Sequence, residues 1–403
     1  MLRSLFSGVS GLRAHQTMMD VVGNNIANVN TVGYKSGQAV FEDTLSQMLR
    51  ASGAPQSGDG GTNPAQVGLG VRLAGIQTNF AQGASQLTGR STDLAIQGDG
   101  FFVVRQGGED LFTRAGSFSF DANGTLVTPE GAVVRGWMAD QTGAINTNGS
   151  LTDINLPLGT LLPPSATQNA SIGGNLPTSA AVGDKIVTSI DMFDGKGTSY
   201  PVTFAFTKTA SDAWSFSADT GTTNVGSGTL AFDPATGALT SGASVSLAPG
   251  LPGPAGGAVT VDLAQMSQFG TDNTVAALSQ DGSAMGSLQA FTISDSGTLV
   301  GVFSNGLKRP LGQIALASVN NPAGLEKVGN SMFRDAVNAG QPQYGVAGTG
   351  GRGTLSSGTL EMSNVDLAQE FTNLIIAQRG FQANSRVISA SDEILQDLVN
   401  LKR

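Results

Sequence analysis

Five large apolar residues recur at seven-residue intervals near the end of this 403-residue chain: Leu367, Leu374, Phe381, Ile388 and Leu395. A repeat of that kind gathers its members on one side of an α-helix and leaves them in need of a partner. Phe371, Ile375, Ala377, Ala383, Val387, Ile394, Leu398 and Val399 widen the stripe. The pattern predicts a helix from Ser363 to Leu401, capped by Ser363 or Asn364, with Asp366 favouring its N-terminal dipole. At ~1.5 Å per residue it would be nearly ~60 Å long, too long for a small domain to cover.

The other end of the chain carries a candidate partner. Leu2, Leu5, Val9, Leu12, Gln16 and Met19 alternate steps of three and four, and the stepping continues through Gly23 to Ile26. All fifteen prolines lie between Pro55 and Pro342, so both ends are free of the residue that breaks helices. Two terminal helices are therefore expected to bury their seams against each other and against other subunits.

Between the ends the period changes to two. LAIQGDGFFVV (Leu94 to Val104) reads as two apolar strands around a Gly-Asp-Gly turn, and the stretch Leu111 to Trp137 carries the hairpin signal Asn123-Gly124. The stretch from Ala290 repeats this style, with turns at Ser296-Gly297 and Asn305-Gly306. These two blocks flank a different segment, residues 147–285, which holds ten Asp, no Glu, three Lys and no Arg. Its alternating strands, SYPVTFAFTK and AWSFSAD, suggest a separate acidic β domain; LAPGLPGPAGG (Leu247 to Gly257) reads as a loop within it. Residues 51–70 and Tyr344 to Gly358, rich in glycine, read as flexible connectors.

The expected fold class is multidomain α+β. Residues 1–29 and 363–403 pair as a helical, coiled-coil core domain, and 30–70 with 354–362 form a connector. An inner β domain, 71–146 and 286–353, carries an outer one, 147–285, inserted in it, both mainly antiparallel.

Composition excludes several function classes. There is no cysteine, which removes disulfides, thiolate metal sites and a cysteine nucleophile. The net charge is -9 and Lys and Arg form no run, which argues against a nucleic-acid partner. No apolar run approaches the roughly 20 residues of a membrane helix. The start, MLRSLFSGVSGLRAHQ, has no continuous apolar core of a cleaved leader. GTGGRG (Gly348 to Gly353) matches a dinucleotide fingerprint, but a polar, proline-containing segment precedes it where the motif needs a strand. His15, the sole histidine, lies on a seam helix, and DMFDGKG (Asp191 to Gly197) lacks the ligand alternation of a calcium loop. No catalytic, cofactor-binding or metal-binding residue is expected, and no enzymatic activity.

The N-terminal stretch SLFSGVSGLRAHQTMMDVVGNNIANVNTVGYKS resembles the start of the bacterial flagellar axial proteins, those of rod and hook. SNVDLAQEFTNLIIAQRGFQANSRVISASDEILQDLVNL resembles their end, and LAIQGDGFFVV with FTRAGSFSFDANGTLVTPEG their central β motifs. The outer segment, FDGKGTSYPVTFAFTK with Trp214-Ser215-Phe216, is similar to that of the hook branch, and the length favours that branch over the shorter distal rod. The resemblance implies a structural, bendable helical homopolymer, a universal joint in motility, made outside the cell by type III flagellar export without a cleaved leader. It implies distal rod, hook cap and hook–filament junction proteins and the export apparatus as partners, with no nucleic acid and no membrane insertion. It assigns a polymerisation core to Leu2, Leu5, Val9, Leu12, Met19, Ile26, Leu367, Phe371, Leu374, Phe381, Ile388, Leu395 and Leu398. The rival readings are a distal rod protein, a secreted β-rich adhesin or stalk, and an extracellular hydrolase without a visible catalytic constellation.

NNIANVNTVGYKSG, Asn24 to Gly37, is the most unusual local stretch. Asparagine side chains satisfy backbone groups at helix ends and tolerate left-handed turns. The resemblance implies that Asn24, Asn25, Asn28, Asn30, Gly33 and Tyr34 form the helix–connector junction, with Val32 and Tyr34 anchoring it against the C-terminal helix.

Overall fold

The computed structural model describes residues 2–54, 60–140, 142–156, 159, 161–221, 223–247 and 258–400. Of Leu2, Leu398 and Val399 it describes the backbone alone, and the expected Pro/Gly loop beyond Leu247 lies outside the described residues. The chain divides into two units: Met1–Pro157, Thr292–Val300 and Pro310–Arg403; and Leu158–Phe291 with Gly301–Arg309. It is mostly β, with a helix at each end.

In the first unit, α1 spans Leu2–Ala27 and α2 spans Leu367–Asn400. They pack antiparallel. Gly8 lies against Ile388, Gly11 against Asn384, and the His15 ring against Gly380, so numbers rise on one helix as they fall on the other. α2 begins four residues later than Ser363. Its N-cap is Asp366, whose Oδ1 accepts the amides of Ala368 at 2.9 Å and Gln369 at 3.3 Å. Ser363 and Asn364 are not the cap, because Asn364 is engaged elsewhere: it accepts from the Ser36 amide and donates to the carbonyls of Asn79 and Ala81.

The glycine-rich connectors are more ordered than composition suggests. Gly37–Asp43 pairs with Val71–Thr78, and Ser46–Arg50 pairs with Ala65–Gly68, which makes an antiparallel arm from the first of them. Residues 55–59 of that connector lie outside the described residues. The second connector is sewn into the sheets. Gln343–Gly345 pairs with Leu316–Ser318, Thr354–Ser357 with Leu94–Gln97, and Thr359–Glu361 with Ser85–Leu87. Backbone ladders of this kind outweigh the conformational freedom of glycine, which composition alone had weighted.

The β block of this unit follows the alternating sequence. Phe101–Gln106 and Glu109–Thr113 form a hairpin across Gly107 and Gly108, both at positive φ, as a two-residue primed turn requires. Asn123-Gly124 turns between Ser119–Phe120 and Leu126–Val127, with Gly124 at φ +82°. Phe101, Val103, Phe112, Ala317 and Phe333 pack together, with Phe80 edge-on to Phe101.

The second unit has two sheets over one core. Lys185–Phe193, Ser199–Ala210, Ala213–Thr220, Thr223–Phe232 and Leu239–Ser241 form an antiparallel meander. Asn169–Pro177 centres the other sheet, parallel to Val259–Asp262 and Met266–Phe269 and antiparallel to Ala276–Gln280. Those two parallel pairs sit within an otherwise antiparallel arrangement. Phe204, Phe206, Trp214 and Phe216 of the meander pack with Ile172, Leu176 and Val261 of the second sheet. Each fully buried side chain of this cluster contributes about 1.5–3 kcal/mol.

Candidate assembly surface

The helix pair meets through small residues. The buried positions of α1 are Gly8, Gly11, Ala14, Val22 and Asn25; those of α2, among side chains described, are Ala377 and Ser391. Added Cβ atoms would come within 3.2 Å of Ile388 at Gly8 and 2.7 Å of Asn384 at Gly11. Close backbone approach, rather than interlocking leucines, joins the two helices.

This corrects the expected seam. Among the predicted apolar positions whose side chain is described, only Ala377 is buried in the single chain. Leu5, Leu12, Met19, Ile26, Leu374, Ile388 and Leu395 are half-buried, while Val9, Leu367, Phe371 and Phe381 are exposed. The wide α2 stripe lies largely open: Phe371 is 50% exposed and Ile375 58%. Phe6 and Ile376, which periodicity missed, are 69% and 54% exposed. Isolated apolar residues at a surface are ordinary, but a continuous set along one long helix marks a surface built to be covered.

The asparagine junction is a dense hydrogen-bond node. Asn24 and Asn25 belong to the last turns of α1, and Asn28 and Asn30 follow it. Asn25 is 1% exposed, and both of its polar atoms are used. Its Nδ2 donates to Gly37 O at 2.8 Å and to Glu370 Oε1 at 2.9 Å; its Oδ1 accepts from Gly37 N and Tyr34 OH. Asn24 Oδ1 accepts from Asn28 Nδ2 and Tyr34 OH, and Asn28 Oδ1 accepts from Thr31 Oγ1. Asn30 is exposed. Asn25 thus ties the exit of α1 to the first turn of α2. Tyr34 reaches α1 directly and feels α2 through the charge of Glu370. Burial first, then that charge, raises its phenol above the ordinary value. Val32 lines a cleft of about 540 Å³ beside Tyr34 and Lys327.

Sequence reasoning missed the neighbouring charges. Lys35 and Glu361 are fully buried, with Nζ 2.6 Å from Oε1, and Arg114 approaches Oε2 at 3.4 Å. Lys35 also donates to Ala81 O, and Glu361 accepts the Gly83 amide. Gly33, at φ +66°, sends its N–H to Glu361 O at 2.8 Å. Burial lowers the Lys35 and Arg114 pKa values, and the Glu361 carboxylate opposes that in both. The available signal was faint: three charges spread over some 330 positions, in a chain only 13% charged.

Among the described residues, no group of three or more His, Asp and Glu is placed to hold a metal ion. GTGGRG closes on itself, with Gly348 N donating to Gly353 O and Arg352 Nε to Val346 O.

Both chain ends thus form an antiparallel helical pair with exposed apolar residues, and mostly β structure lies between them in sequence. Family models match along the chain: the flagella basal body rod protein at residues 5–35, the flagellar hook protein FlgE/F/G D1 domain at 95–175, the flagellar basal body protein FlaE D2 domain at 177–283, and the flagellar basal body rod FlgEFG protein C-terminal at 356–401. The flagellar hook protein FlgE of Borreliella burgdorferi is 40% identical over the full length of both chains, and that of Escherichia coli 36% identical over 98% of each. The flagellar basal-body rod protein FlgG of Bacillus subtilis is 34% identical over the full length of both. A crystal structure of a Helicobacter pylori hook protein, FlgE2, covers 69% of this chain and all of its own, with a TM-score of 0.55 at 16% identity, a likeness of fold. The chain belongs to the flagellar hook protein FlgE family.

Proposed function

We propose that this chain is the structural subunit of a flagellar hook. It polymerises into a curved, bendable tube that carries torque from the rod to the filament. The observation that carries this reading is the open stripe of α2, in which Phe371, Ile375, Ile376, Val387 and Ile394 are all exposed in the single chain. Covering even part of it between copies releases about 1.5–3 kcal/mol per fully buried side chain. Leu5, Val9, Leu12, Met19, Ile26, Leu374, Phe381, Ile388 and Leu395 line the same pair and join the assembly contact. The buried node at Asn25, Tyr34, Lys35 and Glu361 holds the pair to the β block, so that force passes between them.

In this reading the helices are the core of the tube and the inner and outer β domains its outer layers, the outer one, about 147–285, inserted in the inner. The protein leaves the cell through the flagellar export apparatus without a cleaved leader. Its neighbours are copies of itself, the distal rod, the hook cap and the hook–filament junction proteins. The work is mechanical and contains no chemical step.

Full-length identity to a basal-body rod protein supports a second reading, the distal rod. Electron microscopy of the polymerised full chain separates the two. Curved tubes of regular diameter are expected; straight, rigid ones would assign it to the rod, and absence of polymer would contradict both.

A further inference from the structure

The side of α2 turned away from α1 is written in three blocks. Ala377, Gly380, Asn384, Ile388 and Ser391 sit on the α1 side, buried or half-buried. About half a turn round, at helical spacing, stand Phe371 and Ile375, then Arg379 and Arg386, then Glu393 and Asp397, all exposed. The outward face is apolar first, basic in the middle and acidic last.

Among the described residues neither arginine belongs to an ion pair, and neither do Glu393 and Asp397. By the register of the pair Arg13, exposed on α1, stands at the height of the basic block, and Arg3 at the height of Asp392 near the acidic one. Lys402 and Arg403 follow in sequence, beyond the described residues. The centres of the two blocks are about 12 residues apart, ~18 Å along the axis.

We propose that the basic block of one copy docks against the acidic block of a second copy, parallel to it and staggered by ~18 Å along α2. This rests on the self-assembly reading above. Apolar burial drives association but is non-directional and tolerates sliding. Charge complementarity fixes register and rejects like-charge offsets. An antiparallel two-fold contact would close into a dimer, whereas a parallel stagger repeats without limit. The occupant is therefore a second copy of this chain, and Arg379, Arg386, Glu393 and Asp397 determine its offset.

The test is polymerisation of the full chain, read by sedimentation and electron microscopy across a salt series. Three variants are compared: R379E/R386E, E393K/D397K, and all four together, with far-UV circular dichroism confirming the helices. At low salt each double variant should need a concentration raised roughly tenfold to polymerise, the quadruple should return to the wild-type value, and a mixture of the two doubles should copolymerise. Near 1 M salt, where screening reaches about 3 Å, the differences should vanish. Doubles that match the wild type at every salt, or a quadruple as impaired as either double, overturn the proposal and leave these blocks to a partner other than a second copy. The self-assembly reading then stands, because the wild type still polymerises. A wild-type chain that never polymerises overturns both.

Discussion

At the residue scale, the node around Glu361 decides how the helical and β parts of the first unit stay joined. Glu361 answers Lys35, Arg114 and the Gly83 amide at once. Removing one member of a buried pair strands the others without solvent. Glu361→Ala should cost about 3–5 kcal/mol of stability, seen as a lower urea midpoint. An unchanged midpoint would mean that water already reaches these charges. Gly33 makes a second case. It holds φ +66°, and a Cβ there would lie 2.7 Å from Ala115 Cα. Gly33→Ala should cost more than about 1 kcal/mol, while Gly131→Ala, at similar φ with open space around it, should cost less. Tyr34 gives a pH signature. Its pKa is raised above 10.0, so the folded state holds the phenol proton more tightly than the unfolded chain does. The stability that Tyr34 adds is complete below pH 10 and is lost as pH rises through the raised folded-state value. Urea midpoints of wild type and Tyr34→Phe should converge over that range; a gap that widens would reverse the assignment. The role of Asn25 as a helix-end residue was readable from the asparagine cluster. Lys35 and Glu361 were not, because no local pattern links a lysine after one helix to a glutamate some 326 residues later.

At the element scale, the long C-terminal helix was plain from its seven-residue repeat, and α2 covers 34 residues of it. The side that faces α1 was not. Large apolar residues dominate the periodic signal, yet Gly8, Gly11, Ala14, Ala377 and Gly380 are the positions where two backbones can come closest. The motif GVSGLRA held that information, but a hydrophobicity pattern gives glycine no weight. Part of the predicted stripe, Phe371, Ile375, Val387 and Ile394, is exposed, while Ile388 packs against Gly8 of α1. Gly380→Leu tests the arrangement: it would drive a side chain into the His15 ring. Overpacking of this kind costs about 1–3 kcal/mol and should loosen α1 from α2, raising hydrogen exchange in both. Unchanged exchange would show that the helices have room to adjust. The flexible connectors were misjudged for a related reason. Glycine content suggested freedom, while the strand partners that constrain Thr354–Ser357 and Thr359–Glu361 lie far away in sequence.

At the scale of the whole molecule, each of the two units has its own buried core. The aromatic cluster of the second unit lies between Ala170 and Met266, and Trp214 within it is fully buried. A fragment of residues 158–291 retains Trp214 as its single tryptophan. It should fold alone and unfold cooperatively in urea, with blue-shifted fluorescence that shifts red on unfolding. A red-shifted signal in buffer would mean that this core depends on the rest of the chain. The division of labour follows from composition: apolar length at the termini for assembly, acidic β structure between. In the proposed assembly the open face of α2 is covered by other copies of the chain. Sedimentation of the full chain carrying Phe371→Asp and Ile375→Asp tests it most directly. Circular dichroism should be unchanged and no polymer should form at any concentration that suffices for the wild type; normal tubes from that variant would show that this face is not the assembly contact.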